Sequence, residues 1–224
     1  MTAVEPRADG PRTTNLRIPD IDIATTRPGT PGGQFVRQFW IGLDNSASLP
    51  AGRTKPIRIM GENYTLYRGT SGKAQVVAQR CPHRGAMMHL GWVEDDDIRC
   101  VYHGWKFDCT GQCIEQPAEE PGYNRKVKIA TYPTREHLGL IFAYFGDGDP
   151  PPFPPYPEPT GEGIIDAWPV YQVPCNYLQC FENSMDEVHV AFAILVRELR
   201  LIAEGRQPKR WKTPPADVVP ILGV

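Results

Sequence analysis

The sequence predicts a mainly β fold: a small antiparallel sandwich or barrel over roughly residues 38–147, followed by the beginning of an α+β unit that is incomplete. Three observations predict it. Short β-prone runs recur between turn signals, a proline-dense stretch interrupts the chain near residue 150, and the text beyond it is helix-compatible but brief. Residues 1–34 are polar, rich in Pro, Gly and Thr, and carry no hydrophobic period, so they are expected to form a flexible tail. The texture changes at Gln38-Phe-Trp-Ile. The β-prone runs are Ile57–Met60, Tyr64–Tyr67, Ala74–Ala78, Ile98–Tyr102, Lys126–Ala130 and Leu140–Phe145. Turns are expected at Gly61-Glu-Asn, at Gly69-Thr-Ser-Gly and at Asp108-Cys-Thr-Gly, where Gly and Asp accommodate the backbone.

Seven prolines fall between Pro150 and Pro159, in a chain with 24 prolines among 224 residues. No helix or central strand tolerates that density, so 148–165 reads as an extended linker or surface segment. Beyond it, Ala167–Val173 alternates like a strand, and Tyr177–Leu201 is compatible with a helix. The boundaries expected are thus a tail over 1–34, a β domain over 35–147, a linker over 148–165, the start of a second domain over 166–192, and an aberrant tail over 193–224.

Composition narrows the function classes. With 24 Lys and Arg against 26 Asp and Glu, the net charge of −2 gives no electrostatic case for nucleic acid. No apolar run approaches the 18 residues of a membrane span, and the start lacks the apolar core of a secretory signal. A soluble cytoplasmic protein is the expectation. Six irregularly spaced cysteines then read as ligands or free thiols, not a disulfide framework.

The chemistry concentrates in two short motifs. Cys81-Pro-His83 and Cys100-Val-Tyr-His103 stand 16 residues apart, each offering one thiolate and one imidazole. Glycines follow (Gly85 and Gly104), which would let backbone N–H groups approach bound sulfur. Two such loops can hold two irons bridged by sulfide, with imidazoles replacing two of the four thiolates and raising the potential. A structural zinc site is the rival reading, although zinc motifs use C-x2-4-C or H-x3-5-H spacings.

On these residues the chain resembles the Rieske [2Fe-2S] proteins, and more narrowly the α (oxygenase) subunits of Rieske non-haem iron oxygenases that hydroxylate or demethylate aromatic compounds. Cys81-Pro-His-Arg-Gly, Cys100-Val-Tyr-His-Gly-Trp-Lys-Phe-Asp and Gly111 carry the resemblance, which runs from about Phe39 to Phe192. It implies that Cys81, His83, Cys100 and His103 bind the cluster. Trp105 would pack over it or serve as an ordinary core aromatic. Respiratory Rieske proteins have an additional cysteine in each loop; Ala86 and Tyr102 occupy those positions here. Cys109, Cys113, Cys175 and Cys180 match no ligand position, nor do His89 and His137.

Asn183-Ser-Met-Asp186-Glu-Val-His189 resembles the N-x2-D-x2-H-x4-H element of the same oxygenases. By that resemblance His189 would ligate a mononuclear Fe(II), and Asp186 would carry the electron across a subunit interface. On one helix the two would share a face at i and i+3. The second histidine would stand at 194, where the residue is Ile194, and no histidine follows His189. The codons for Ala193-Ile194 can contain a histidine codon in a shifted frame, so a frameshift or truncation near residue 193 is one expectation. The chain as written is expected to lack hydroxylase activity.

The resemblance further implies a reductase or ferredoxin as electron donor, a small aromatic substrate and a homotrimer. The linker and the Cys-Pro-His-Arg-Gly loop lean toward the phthalate and carbazole oxygenases. The alternative is a Rieske ferredoxin-like carrier without oxygenase activity; against it stands the Asp186–His189 element.

Overall fold

The computed structural model describes residues 22–156 and 173–206. The expected strand at 167–173 lies almost wholly outside these residues, as does the tail beyond 206. Among the described residues, eleven strands form three antiparallel sheets. β1 (Trp40–Asn45), β11 (Leu140–Tyr144) and β10 (Thr134–His137) make one. A second runs in the order β2 (Thr54–Ile59), β3 (Glu62–Arg68), β4 (Ala74–Ala78) and β9 (Thr131–Tyr132). The third is the meander β5 (Trp92–Glu94), β6 (Asp97–Arg99), β7 (Lys106–Phe107) and β8 (Cys113–Glu115).

Successive strand residues point to opposite faces, so the second sheet feeds two cores. Tyr64, Leu66, Ala74 and Val76 join Leu43, Ile141 and Phe145. Tyr67 and Val77 point the other way and join Met88, Ile98, Phe107 and Ile129. A strand covered on both sides needs apolar residues without alternation; hence Val76-Val77 side by side. The second core also contains Cys81, Cys100 and Trp105, so the candidate ligands grow directly from packed side chains.

The turns fall close to where the sequence places them, the first shifted back so that Glu62 and Asn63 already belong to β3. Met60 and Gly61 both have positive φ between the paired Ile59 and Glu62, a two-residue hairpin turn. Asp108 Oδ1 accepts from the amides of Thr110 and Gln112, and Gly111 N donates to Asp108 O. The run expected as a strand at Lys126–Ala130 is corrected. Tyr123–Lys126 is a 3-10 turn, and the chain then runs extended without a continuous ladder until β9. Its amides and carbonyls are spent on single links, such as Ile129 N to Gly111 O and Ala78 N to Ala130 O.

Two expectations about irregular segments also change. Residues 22–34, expected as tail, are folded back: Thr30 caps a short helix, α1 (Pro31–Val36), with its hydroxyl accepting from Gly33 N at 3.0 Å. Arg37 then ties Thr26 O, Gly33 O and Glu62 together. A Cβ at Gly33 would sit 1.9 Å from Arg27 O, so only glycine permits this fold-back. The proline run, as far as residue 156, lies on the first sheet and is not a free spacer. Phe153 packs on Trp40 and Phe142, Tyr156 stacks on His137, and Trp40 Nε1 donates to Pro151 O. Proline's fixed φ makes such a strip cheap to order once aromatic anchors hold it.

The C-terminal described segment is helical but broken. α2 (Tyr177–Met185) begins at Asn176, whose side chain accepts from Leu178 N. Asn176 and Tyr177 bond Ala24 O and Ile23 O, tying this end to the folded-back N-terminal segment. α3 (Glu187–His189), a π-helical stretch (Val190–Val196) and α4 (Arg197–Ala203) follow. No helix among the described residues is long and apolar enough to cross a membrane.

Candidate metal centre

Two loops project from the second core. The first, Cys81–Gly85, leaves the second sheet after β4; the other, Cys100–Gly104, links β6 to β7. Cys81 and Cys100 are buried at 3% and 2% exposure, whereas His103 is exposed and His83 half-buried. The loops sort their donors by type. The two buried thiols belong to the same core, close enough for Cys100 to act on the Cys81 thiol. The imidazoles of His83 and His103 lie edge to face with centroids 4.5 Å apart. Trp105 stacks flat on His83 at 4.3 Å, with 4° between planes, and is itself 4% exposed. It is a core aromatic that also stacks on one of the candidate ligands.

Burial acts in opposite senses on the two donor types. Burial pushes the Cys81 thiol up to about 12, and the neighbouring Cys100 adds to the rise. Without a cation such a thiol keeps its proton; a bound metal reverses that balance and deprotonates it outright. Desolvation, with His103 and Arg84 nearby, lowers the pKa of His83, which favours the neutral imidazole that a metal requires. Trp105 Nε1 and both side-chain polar atoms of Gln116 are buried with no partner, so this end of the core holds polar groups that a bound group could satisfy. Among the described residues no three His, Cys, Asp or Glu side chains gather around one point. A Rieske cluster asks for two protein ligands per iron, a pair of cysteines on one and a pair of histidines on the other. A pair of thiols beside a pair of imidazoles fits it, and fits a single tetrahedral zinc poorly.

Behind the second loop lies a charge network that the sequence reading missed. Arg99 meets Glu94 through two hydrogen bonds of 2.8 Å and Glu115 through one of 2.6 Å. Lys106 Nζ lies 3.3 Å from Asp97 and 3.4 Å from Glu94. Hydrogen bonds from Arg99, and then from Trp92, hold the Glu94 carboxyl down at about 2. Sequence separation hid the network, because only the β5–β8 meander brings these charges together.

The second candidate site is not assembled among the described residues. Asp186 has φ −86° and ψ 92°, outside the helical region, and its Oδ1 accepts from His189 N at 2.9 Å. It caps the next helix, so the expectation of one helical face shared with His189 is corrected. Ser, Thr, Asn and Asp at such a position compete with helix continuation by satisfying free amides. Of the cysteines without a ligand position, Cys113 is buried, Cys109 is exposed, and Cys175 and Cys180 are exposed with sulfurs 3.4 Å apart; all six cysteines are free. His89 and His137 are half-buried and structural: Thr54 donates to His89 O, and His137 packs against Phe153 and Tyr156.

Residues 39–133 match the Rieske [2Fe-2S] domain family. The 5,5'-dehydrodivanillate O-demethylase oxygenase subunit of Sphingobium sp. is 39% identical over 172 residues, covering 75% of this chain and 41% of that protein. The tert-butanol monooxygenase / tert-amyl alcohol desaturase oxygenase subunit of Aquincola tertiaricarbonis is 38% identical over 183 residues, covering 79% and 38%. The phthalate 4,5-dioxygenase oxygenase subunit of Pseudomonas putida is 32% identical over 201 residues, covering 87% and 46%. The chain thus spans less than half the length of each of these relatives. Over residues 39–133 it is a Rieske [2Fe-2S] domain, set in a sequence homologous to the oxygenase (α) subunits of Rieske oxygenases.

Proposed function

We propose that Cys81 and Cys100 bind one iron of the cluster and His83 and His103 the other, and that the chain is the electron-accepting part of an oxygenase component. The sorting of donors, thiol against thiol and imidazole against imidazole, carries this reading. When bound, the cluster takes up and gives back one electron at a time. The protein orients the four donors, keeps the thiolate side dry and leaves the histidine side open toward a partner. Exposed His103, with Tyr102 and Val101 beside it at 63% and 49% exposure, offers that side to an electron donor, a reductase or a ferredoxin.

The same reading makes the whole protein an O2-dependent hydroxylase or demethylase of an aromatic acid or ether, acting in the cytoplasm as a homotrimer. Asp186 would relay the electron between subunits, and His189 would be one ligand of a mononuclear Fe(II). Its relatives' names include both an aromatic ether demethylase and a phthalate dioxygenase, which supports that substrate class. A domain over 35–147, the start of a second over 166–192 and a tail over 193–224 stay part of this reading, while the linker expected over 148–165 is narrowed by the packing of Phe153 and Tyr156 on the first sheet. Among the described residues His189 belongs to no group of three His, Cys, Asp or Glu side chains that could hold a metal, so on this reading the chain as written would transfer electrons without hydroxylating.

Stopped-flow reduction by dithionite, followed by oxidation with cytochrome c, tests this. One reversible electron per chain, with no O2-dependent product from aromatic acids or ethers, is the expected result. Absence of any reversible electron would overturn it, and so would hydroxylated product.

A further inference from the structure

The two ligand loops share a device that begins one residue before each cysteine. Arg80-Cys81-Pro-His83-Arg84-Gly85 and Arg99-Cys100-Val-Tyr-His103-Gly104 differ in where the histidine stands but not in how they close. In both, the glycine four residues after the cysteine donates its amide to the cysteine carbonyl, at 2.9 Å for Gly85 and 3.1 Å for Gly104. The cysteine amide in turn donates to the residue after the glycine: Ala86 O at 2.8 Å and Trp105 O at 2.9 Å. Both glycines adopt left-handed backbone, φ +73° and +71°, a conformation that strains any residue with a Cβ. The arginine then reaches across the loop. Arg80 Nη1 donates to Gly85 O at 2.9 Å, and Arg99 Nη1 to Gly104 O at 2.6 Å.

We propose that Arg80 and Arg99 are positioning residues for the cluster, each clamping the carbonyl of the glycine that ends its ligand loop. The same three closures occur twice, in loops of different Cys-to-His spacing and on different sheets, so they follow the ligands and not the local strand. A left-handed glycine turns its carbonyl away from the loop's own amides, and a charged donor is the strong way to satisfy it. The clamps are unequal. Arg99 is fixed by Glu94 and Glu115 before it meets Gly104. Arg80 is exposed, and among the described residues it has no carboxylate in ion-pair range. The second loop is therefore the rigid one and the first the yielding one. Arginine is required at 99 because only a planar fork reaches two carboxylates and a carbonyl at once; a lysine has one point of charge.

This rests on the ligand assignment above, and the experiment separates the two. The full chain, purified without oxygen, is first assayed for iron and sulfide. An empty wild-type protein would overturn the ligand assignment and the clamps with it. Given a loaded wild type, Arg80→Met and Arg99→Met are compared for cluster loss to a chelator, followed by visible absorbance, and for EPR line positions. Loss of a hydrogen bond made directly to a metal ligand weakens metal binding by about 10- to 100-fold; the clamps act one step further out, on the loop that carries the ligands, so cluster loss should accelerate by up to about 10-fold with shifted EPR lines. Arg80→Lys, which keeps one donor, should recover most of the wild-type behaviour. The apo form of Arg80→Met should unfold at the wild-type urea midpoint, since its exposed guanidinium holds nothing but Gly85. If Arg99→Met does not fold, Arg80→Met and Arg80→Lys decide alone. Wild-type loss rates and unshifted EPR lines in Arg80→Met would refute the clamp.

Discussion

The β region and the helical segment use large apolar residues in opposite ways. Between β1 and β11, Tyr67, Phe107, Leu66, Met88, Ile98 and Ile141 are fully buried. Between α2 and α4, Phe181, Met185, Phe192, Leu195 and Leu199 are each more than half exposed. The β region closes two cores with its own sheets and hangs the ligand loops from one of them. The helical segment presents an apolar surface that nothing among the described residues covers, a pattern that marks an interaction surface or an aggregation liability. The proposed cluster site therefore lies wholly in the first region, whereas any chemistry at Asp186 and His189 would need further structure around the second.

The sharpest way to break this contrast is to remove a ligand. Cys100→Ser should abolish bound iron and sulfide while the far-ultraviolet helical signal stays unchanged; retention of the cluster would show that the ligands lie elsewhere. A paired substitution tests the packing. Phe107→Ala, at 0% exposure, should cost about 3–5 kcal/mol by urea denaturation, as deep aromatic truncations do. Phe192→Ala, at 67% exposure, should stay within about 0.5 kcal/mol. Equal costs would mean that the helical segment is covered after all. At the level of one cap, Asp186→Ala should destabilise the following helix by about 0.5–2 kcal/mol, read as faster amide exchange over 187–203 with no change in the β region.

The smallest effect concerns acid. The carboxyl of Glu94 is held from its ordinary 4.5 to about 2 by Arg99 and Trp92. A folded pKa below the unfolded one adds stability above the unfolded value, and that stability is lost as pH falls through the folded value. The urea midpoint should therefore drop more steeply in wild type than in Glu94→Gln as pH falls from about 4.5 to about 2. Parallel curves would detach this ion pair from the stability of the β region.

How far the sequence could be read follows the same divide. Alternating or fully apolar runs at Tyr64–Tyr67 and Val76–Val77 identify strands because burial on one or both faces dictates side-chain type locally. That the motif cysteines and histidines come together is legible because metal chemistry restricts both type and spacing. The run at Lys126–Ala130 misleads because its β-prone residues satisfy their backbone through single bonds, set by distant partners at Gly111 and Cys113. The arginine clamps had a signal, an Arg before each Cys, but an arginine's role depends on where its head reaches. Asp186 stands in the motif as the oxygenases' bridging aspartate by resemblance, while its position, three residues before the amide it accepts from, marks a helix cap.

The central claim is that the two thiols and two imidazoles at the tip of the second core hold a Rieske cluster. Iron and acid-labile sulfide per chain, measured with the reduction potential on anaerobically purified protein, test it most directly. About two irons and two sulfides, with a potential between about −150 and +300 mV, are predicted for a cluster held by two cysteines and two histidines. A potential near −400 mV would indicate all-cysteine ligation, and zinc without sulfide a structural metal site; either result would contradict the assignment of Cys81, His83, Cys100 and His103.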